Sequence, residues 1–310
     1  MKKVVEALDH VCVVIPCYRH SDALENCLAA LSAQTYAGRY ETVVVDSGMD
    51  ARTVETAGRF DGVRVVRSER VLQSGEARNL GARSTSAELL AFTDADCAPE
   101  PQWLAAGLGC LSDRVRLAGG PVLDALPLNP VAVCDNLLQS ADFLPRRPDG
   151  QATYLKGCNL IMRRADFVEI GGFPDPEEGA GEDTMFCDAF LERWPAGIWF
   201  SRPMRVRHPG RTGFRDYLRR HFHYGYCRGA LGLHLKPAHL KYGRSMAMVL
   251  PFAVARLSYV LRRVAAWHPI ALPKYLILTP LLFVGMVGWS LGFRRGLIVA
   301  AGVDPRLAAT

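Results

Sequence analysis

Short valine-rich apolar runs alternate with helical spacings over the first hundred residues. Val11 to Ile15, Thr42 to Val45, Val63 to Val66 and Leu89 to Phe92 read as strands buried on both faces, as in a parallel sheet with helices on either side. Between the first two, Leu24, Cys27, Leu28 and Leu31 fall at i, i+3, i+4 and i+7, with Ser21 or Asp22 available as N-cap, so this segment predicts a helix packed on the sheet. The same rhythm returns through Ala51 to Phe60 and Gly75 to Ser84. A doubly wound α/β layer with right-handed crossovers follows, and ligands in such layers bind beyond the carboxyl ends of the strands.

After Pro101 the rhythm loosens. Helices are expected near Gln102 to Leu111, Pro130 to Leu144 and Asp183 to Trp194, and strands near Leu117 to Val122, Asn159 to Met162 and Ile198 to Phe200, with a loop at Arg146 to Gly150. The tail differs in kind. Tyr275 to Phe293 is nineteen residues without a charge, close to the about 20 that cross a bilayer as a helix, and it is flanked by Lys274 and by Arg294-Arg295, with Trp267 and Trp289 at interface-like positions. Met246 to Leu261 is apolar but interrupted by Arg256, which makes it a second span or a helix lying in the interface. Two spans would place Arg262, Arg263 and Lys274 outside, against the positive-inside trend, and one span plus one interfacial helix avoids part of that conflict.

Charge sharpens the picture. From Arg202 to Arg244 the chain carries eleven Lys and Arg against a single acid, Asp216. This basic collar directly precedes the apolar tail, so anionic lipid headgroups rather than nucleic acid are its expected counter-charge; substrate phosphates or plain solvation account for individual arginines equally well. The nine cysteines form no CxxC pair and no zinc-like spacing, which fits reduced thiols in a reducing compartment. Met1-Lys2-Lys3 is followed by Glu6, Asp9 and His10 without a long apolar run, and the catalytic part is therefore expected on the cytoplasmic side of the cell membrane.

Candidate chemistry clusters in acids. In Thr93-Asp94-Ala95-Asp96 the two carboxylates stand at i and i+2 of an extended segment after an apolar strand, so they point the same way. Such a pair suits a hard cation, Mg²⁺ or Mn²⁺, shared with phosphate oxygens; turn formation or helix capping is the bland reading. Glu182 and Asp183, after Gly179-Ala180-Gly181, open a helix. Acids there answer the macrodipole, and a carboxylate so placed can also accept a hydroxyl proton. His208 is a possible further metal ligand or a surface histidine, and Arg78 a possible phosphate contact or a solvated helix residue. His221, Phe222, His223, Tyr224 and Tyr226 fit an acceptor entrance or an interfacial aromatic belt.

In this order the segments resemble family 2 glycosyltransferases. Val13-Val-Ile-Pro-Cys-Tyr-Arg19 is similar to the family's opening strand and loop, Val43-Val-Val-Asp-Ser-Gly48 to its second strand, Gly75-Glu-Ala-Arg-Asn-Leu-Gly-Ala82 to its helical segment and Thr93-Asp-Ala-Asp96 to its metal motif. Lys156-Gly-Cys-Asn-Leu-Ile-Met-Arg-Arg164 is similar to the strand before the acceptor site, Gly171-Gly-Phe173 to the turn after it and Gly181-Glu-Asp183 to the base motif. Where many relatives carry two consecutive acids, this chain has Asp46-Ser47. The resemblance implies a GT-A fold, the nucleotide-diphospho-sugar transferase fold with a doubly wound, mostly parallel sheet, in residues 1–230. A basic juxtamembrane linker at 231–244 and membrane-associated helices at 245–310 would follow.

It further implies an inverting hexosyltransferase that moves a sugar from a nucleotide-sugar donor to a glycan or lipid-linked acceptor, with membrane lipids as partners and no nucleic acid. Pro16, Tyr18 and Asp46 would contact the nucleoside, Arg78 and Asp94 the donor; Asp96, Asp94 and His208 would hold the metal. Asp183 would be the general base and Glu182 would orient hydroxyls. Truncation before Ser245 is expected to release a soluble domain. Two rivals remain open, a sugar-phosphate nucleotidyltransferase and a non-catalytic, membrane-tethered nucleotide-sugar-binding protein. Pro16-Cys-Tyr-Arg-His20 is not the Gly-rich triphosphate loop the first would need, and the intact Asp94, Asp96 and Asp183 speak against the second.

Overall fold

The computed structural model describes residues 10–19, 21–176, 179–232, 235 and 243–302. The N-terminal Met1 to Asp9 and, in the basic collar, Lys236 and Lys241 lie outside the described residues. The chain divides into two compact units, the first built from Met1–Leu123, Pro148–Asp175 and Glu182–His208, the second from Asp124–Arg147, Pro176–Gly181 and Pro209–Thr310.

The first unit is the α/β layer. Its strands are β1 (His10–Cys17), β2 (Arg39–Asp46), β3 (Val63–Arg67), β4 (Leu89–Phe92), β5 (Ala98–Pro99), β6 (Leu117–Gly119), β7 (Val122–Asp124), β8 (Gly150–Gln151), β9 (Leu160–Arg163), β10 (Ile198–Phe200) and β11 (Val206–His208). Eight form one sheet in the order β3-β2-β1-β4-β9-β6-β10-β8, and β5, β11 and β7 form a second. Pairings β1–β2, β2–β3, β1–β4 and β6–β10 are parallel, whereas β9 runs antiparallel to β4 and β6, and β8 to β10.

Both faces of β1, β2 and β4 are buried as their composition requires. The edge strand β3 is not, its Arg64 and Arg67 being exposed on opposite faces and its valines only partly buried. The helices α1 (Ser21–Ser32), α2 (Ala51–Ala57), α3 (Ser74–Arg83), α4 (Trp103–Leu108), α6 (Arg164–Glu169) and α7 (Glu182–Arg193) cover the layer, with α5 described below. The Leu24, Cys27, Leu28, Leu31 stripe of α1 is buried throughout. A single strand at Leu117 to Val122 does not form. Gly119-Gly120-Pro121 interrupts it, Pro121 having no N–H to give, and β6 and β7 join different sheets. The loop expected at Arg146 to Gly150 ends in the short strand β8.

The second unit is helical, with α5 (Pro130–Ser140), α8 (Phe214–Ala230), α9 (Val249–Trp267), α10 (Leu272–Ile277) and α11 (Thr279–Ala300). Val133, Cys134 and Leu137 of α5, Tyr217 of α8, Val260 and Val264 of α9, and Leu282 and Met286 of α11 share one core. The expected catalytic boundary at 230 therefore runs through this core, since α5 and α8 bury their apolar faces against helices from the tail.

The crossing of α8 and α11 is the tightest contact of the unit. A Cβ on Gly225 would stand 1.9 Å from the Trp289 carbonyl oxygen, one on Gly229 2.4 Å from that of Phe293, and, reciprocally, one on Gly292 1.9 Å from Phe222 O and one on Gly296 2.2 Å from Tyr226 O. Glycines four apart on both helices let the backbones meet. The uncharged stretch Tyr275 to Phe293 is not one rod, because α10 ends at Ile277 and α11 begins afresh with Pro280 in its first turn. Among the described residues, α11 is the one helix long and apolar enough to cross a membrane, and half of its most apolar stretch is buried inside the protein.

Candidate active site

All the acids singled out from the sequence lie in the first unit. After β4 the chain turns instead of staying extended as expected: the Cys97 N–H donates to the Asp94 carbonyl at 2.9 Å, Thr93, Ala95 and Cys97 are buried, and the Asp94 and Asp96 side chains are each about a third open. The ring of His208, at the end of β11, places Nε2 3.8 Å from Asp96 Oδ1. Asp96, Cys97 and His208 each bring a ligand atom within 4.8 Å of the others, and Asp94, Cys97 and Cys158 form a second such group. Burial, joined by Cys158 and the neighbouring acids, pushes the Cys97 thiol well up, so it stays protonated.

Arg78 is the hub. It rises from α3 almost wholly buried and gives one arm to each acidic motif: Nη2 donates to Asp94 Oδ1 at 2.7 Å and Nη1 to Glu182 Oε1 at 3.0 Å. Its guanidinium carbon stands 5.2 Å over the Phe173 ring. Burial acts to deprotonate it, but Asp94 and Glu182 outweigh burial and hold its pKa above the usual arginine value. The solvated-helix reading of Arg78 therefore does not hold. Gly157, in the Lys156-Gly-Cys-Asn segment, makes room for it, since any Cβ there would lie 2.8 Å from Nη1.

Neighbouring motifs are held by polar staples. Asn79, next to Arg78, donates to the Phe173 carbonyl at 2.8 Å and accepts from the Phe173 N–H at 2.9 Å, which fixes the Gly171-Gly-Phe173 turn onto α3. Phe173 stacks on Phe186 of α7 at 4.2 Å and meets Phe92 of β4 edge-on at 5.3 Å. Asn159 accepts from the Trp103 indole at 2.8 Å and donates to the carbonyls of Pro121 and Met204, a wholly buried clamp.

At the start of α7, Asp183 Oδ2 accepts from the Tyr154 hydroxyl at 2.7 Å and Oδ1 from the Thr184 N–H at 2.8 Å. Burial first, then the facing Asp183, raises the Tyr154 pKa well above the ordinary phenol value, so this hydroxyl remains a donor. Burial and the charge of Asp183 also raise the Glu182 carboxyl, against the pull of Arg78. Asp46, fully buried at the end of β2, turns into its own loop, where it accepts from Gly48 N at 3.0 Å and Asp50 N at 3.1 Å. Tyr18, 40% exposed, and partly open Pro16 border the carboxyl end of β1. Gly48 brings the two loops together, a Cβ there falling 3.4 Å from the Tyr18 ring.

A family model described as glycosyl transferase family 2 matches residues 12–124. The glycosyltransferase AglE of Haloferax volcanii is 31% identical over 228 residues, covering 72% of this chain and 74% of that one. The chain is a family 2 glycosyltransferase. The transferase is also 28% identical to the pre-mycofactocin glycosyltransferase of Mycobacterium tuberculosis over 69% of its own length, though it spans under half (46%) of that relative. In fold it resembles the mannosyltransferase PcManGT from Pyrobaculum calidifontis, solved with GDP-Man and Mn²⁺, at a TM-score of 0.56 and 19% identity over 94% of this chain and 86% of that one. The GT-A fold expected for the transferase is thus the one observed.

Two features of the transferase's site escaped sequence reasoning. Tyr154 carries no motif signal, since its partner Asp183 lies 29 residues away. Cys97 adjoins Asp96 in sequence, and the segment Thr93-Asp-Ala-Asp-Cys97 could have suggested it as a neighbour of any bound cation.

Proposed function

We propose that the transferase moves a sugar from a nucleoside-diphosphate donor to a hydroxyl acceptor with inversion, Asp183 acting as general base. The observation that supports this reading is the double grip of Arg78, which donates to Asp94 of the acidic pair and to Glu182, the sequence neighbour of Asp183. Asp183 keeps a lone pair on each oxygen beyond its bonds to Tyr154 and Thr184. It takes the acceptor proton while the hydroxyl oxygen attacks the anomeric carbon and the nucleoside diphosphate leaves from the opposite face. Alignment and base assistance both lower the barrier, the base by about 10²–10⁴-fold.

Asp96 and His208 would hold Mg²⁺ or Mn²⁺, with Asp94 close by. Carboxylate and imidazole at this spacing fit either ion once phosphate oxygens complete the shell, whereas the soft sulfur of Cys97 is a poor match for such hard cations. When bound, such a cation acts as a Lewis acid that stabilises negative charge on the diphosphate. Pro16 and Tyr18 offer the nucleoside its surface and Asp46 orders the loop that meets the base. Glu182, steadied by Arg78, orients hydroxyls.

The helical tail, 245–310, is proposed to attach the transferase to the cell membrane with the catalytic unit on the cytoplasmic side and 231–244 as the basic approach to it. That placement favours a lipid-linked or envelope-glycan acceptor. The test is turnover of labelled UDP-, GDP- and dTDP-sugars by membranes carrying the wild type or Asp183→Asn. Transfer should fall by about 10²–10⁴-fold in the variant while donor binding persists, and full activity of the purified variant would remove Asp183 as base.

A further inference from the structure

Within the helical unit, Phe222 and Tyr226 of α8, Leu291 of α11 and Met246 wall an open groove of about 530 Å³, and Arg294 and Arg295 stand on the same groove. None of these residues belongs to the acidic site. Beside the groove, Met246 in the 3-10 turn just before α9 is followed by Leu250 and Val254, four residues apart on one side of α9, and all three are more than half exposed. Surface of this kind costs about 25 cal/mol per Å² in water, and continuous apolar patches of such length mark contacts with a membrane or a partner.

Charge selects between occupants. From 209 to 303 the chain has fourteen Lys and Arg and one acid, Asp216, and that acid is taken by Arg219 at 3.0 Å. Arg294 donates through Nε to the Arg244 carbonyl at 2.8 Å, which steadies its guanidinium, and Arg295 is exposed and makes no ion pair among the described residues. The groove thus needs a ligand with an anionic head and a long apolar body. A free phosphate would leave the apolar walls wet, and a peptide would have to satisfy its backbone N–H and C=O groups against walls whose polar groups are those of His223, Tyr226 and the two arginines alone.

We propose that this groove is a binding site for an anionic bilayer phospholipid, one acyl chain lying against Phe222, Tyr226, Leu291 and Met246 and its phosphate paired with Arg294 and Arg295. The proposal rests on the membrane attachment of the helical tail given above, which flotation of the full chain with liposomes tests separately.

Full-length protein in mild non-ionic detergent is titrated with dioleoyl phosphatidylglycerol or dioleoyl phosphatidylcholine and bound lipid is counted by native mass spectrometry. The wild type should bind phosphatidylglycerol at least tenfold more tightly than phosphatidylcholine, with no loss when millimolar inorganic phosphate is added. Arg294→Gln/Arg295→Gln should abolish that preference while leaving phosphatidylcholine binding as it was. Leu291→Trp, which fills the groove and keeps both arginines, should weaken both lipids. Equal binding of the two lipids by the wild type, an unchanged preference in the double variant, or displacement by inorganic phosphate would each overturn the proposal. If the chain floats with liposomes and one of these results is found, the lipid site alone is wrong; if it floats with none, the membrane reading fails as well.

Discussion

The two units bury charge in opposite senses. In the α/β unit a cation, Arg78, is enclosed by acids, and those acids remain partly open, Asp94 by 31% and Glu182 by 17%. In the helical unit an acid, Asp135 of α5, is enclosed by cations and is wholly shut away. Arg220 Nη1 lies 3.1 Å from its Oδ2, His221 Nε2 3.1 Å from its Oδ1, and the Arg211 N–H donates to it at 2.8 Å. Burying an ion is unfavourable in both cases unless partners compensate. The difference lies in which charge stays partly open: the first cluster leaves the carboxylates of Asp94 and Glu182 partly exposed, whereas the second leaves only the arginine side of the pair open and ties α5 to α8.

Removal of the central ion tests that contrast most severely. Arg78→Met should cost about 3–5 kcal/mol by leaving Asp94 and Glu182 facing each other, and transfer should vanish along with stability. Asp135→Ala should lower the melting temperature comparably while the folded fraction keeps its kcat, as read by calorimetry and turnover on the same sample. Loss of kcat in well-folded Asp135→Ala protein would break the comparison.

Next in size is the glycine crossing. Gly292→Leu must push α8 from α11, at roughly 3 kcal/mol, the upper range for overpacking, visible as a lower melting temperature in detergent. Acid should come third. Burial raises the Asp135 carboxyl, but His221, Arg220 and the Arg211 N–H overcome this and hold it at about 2, below its ordinary 3.8. Its contribution, about 2 kcal/mol, is complete above pH 4 and lost as pH falls toward 2. Burial also depresses His221, so the unfolded chain takes up that proton first and stability begins to decline below about pH 6.5. Melting curves between pH 7 and 3 should show the decline, and Asp135→Ala should flatten its lower part. The smallest expected effect is Tyr154→Phe, which removes one hydrogen bond to Asp183 worth about 1 kcal/mol. It should reduce kcat by roughly tenfold or less with KM for donor unchanged, a split that a merely structural residue would not give.

The α/β unit was legible because its strands are continuous apolar runs and its motifs are local. The acids Asp94 and Asp96 could be read from four residues, but the extended backbone expected there is a turn, closed by the Cys97 N–H on the Asp94 carbonyl. Glu182 was placed correctly at a helix start, but its pairing with Arg78, 104 residues earlier, belongs to tertiary structure and leaves no periodic trace. The helical unit was harder. Apolar content pointed to a single rod from Tyr275 to Phe293, whereas Pro280 restarts the helix. Charge made α8 read as a collar at the membrane edge, although its glycine edge is buried against α11. Glycine spacings at 225 and 229 and at 292 and 296 were visible as i, i+4 pairs, yet such pairs reveal a contact only when both helices are known to meet.

The helical unit draws one stretch from the middle of the chain and several from its end. Val133, Cys134 and Leu137 of α5 and Tyr217 of α8 share their core with residues of α9 and α11. Cutting before Ser245 would therefore strip these residues bare rather than free a tidy soluble piece, contrary to the expectation from the linear order of segments. During synthesis the same arrangement makes α5 wait. More than a hundred further residues must leave the ribosome before its apolar face is covered, a long-range closure that slows folding and leaves an aggregation-prone surface exposed meanwhile. Expression systems that stall or truncate late in translation should consequently yield insoluble product even when every acid of the active site has already been made.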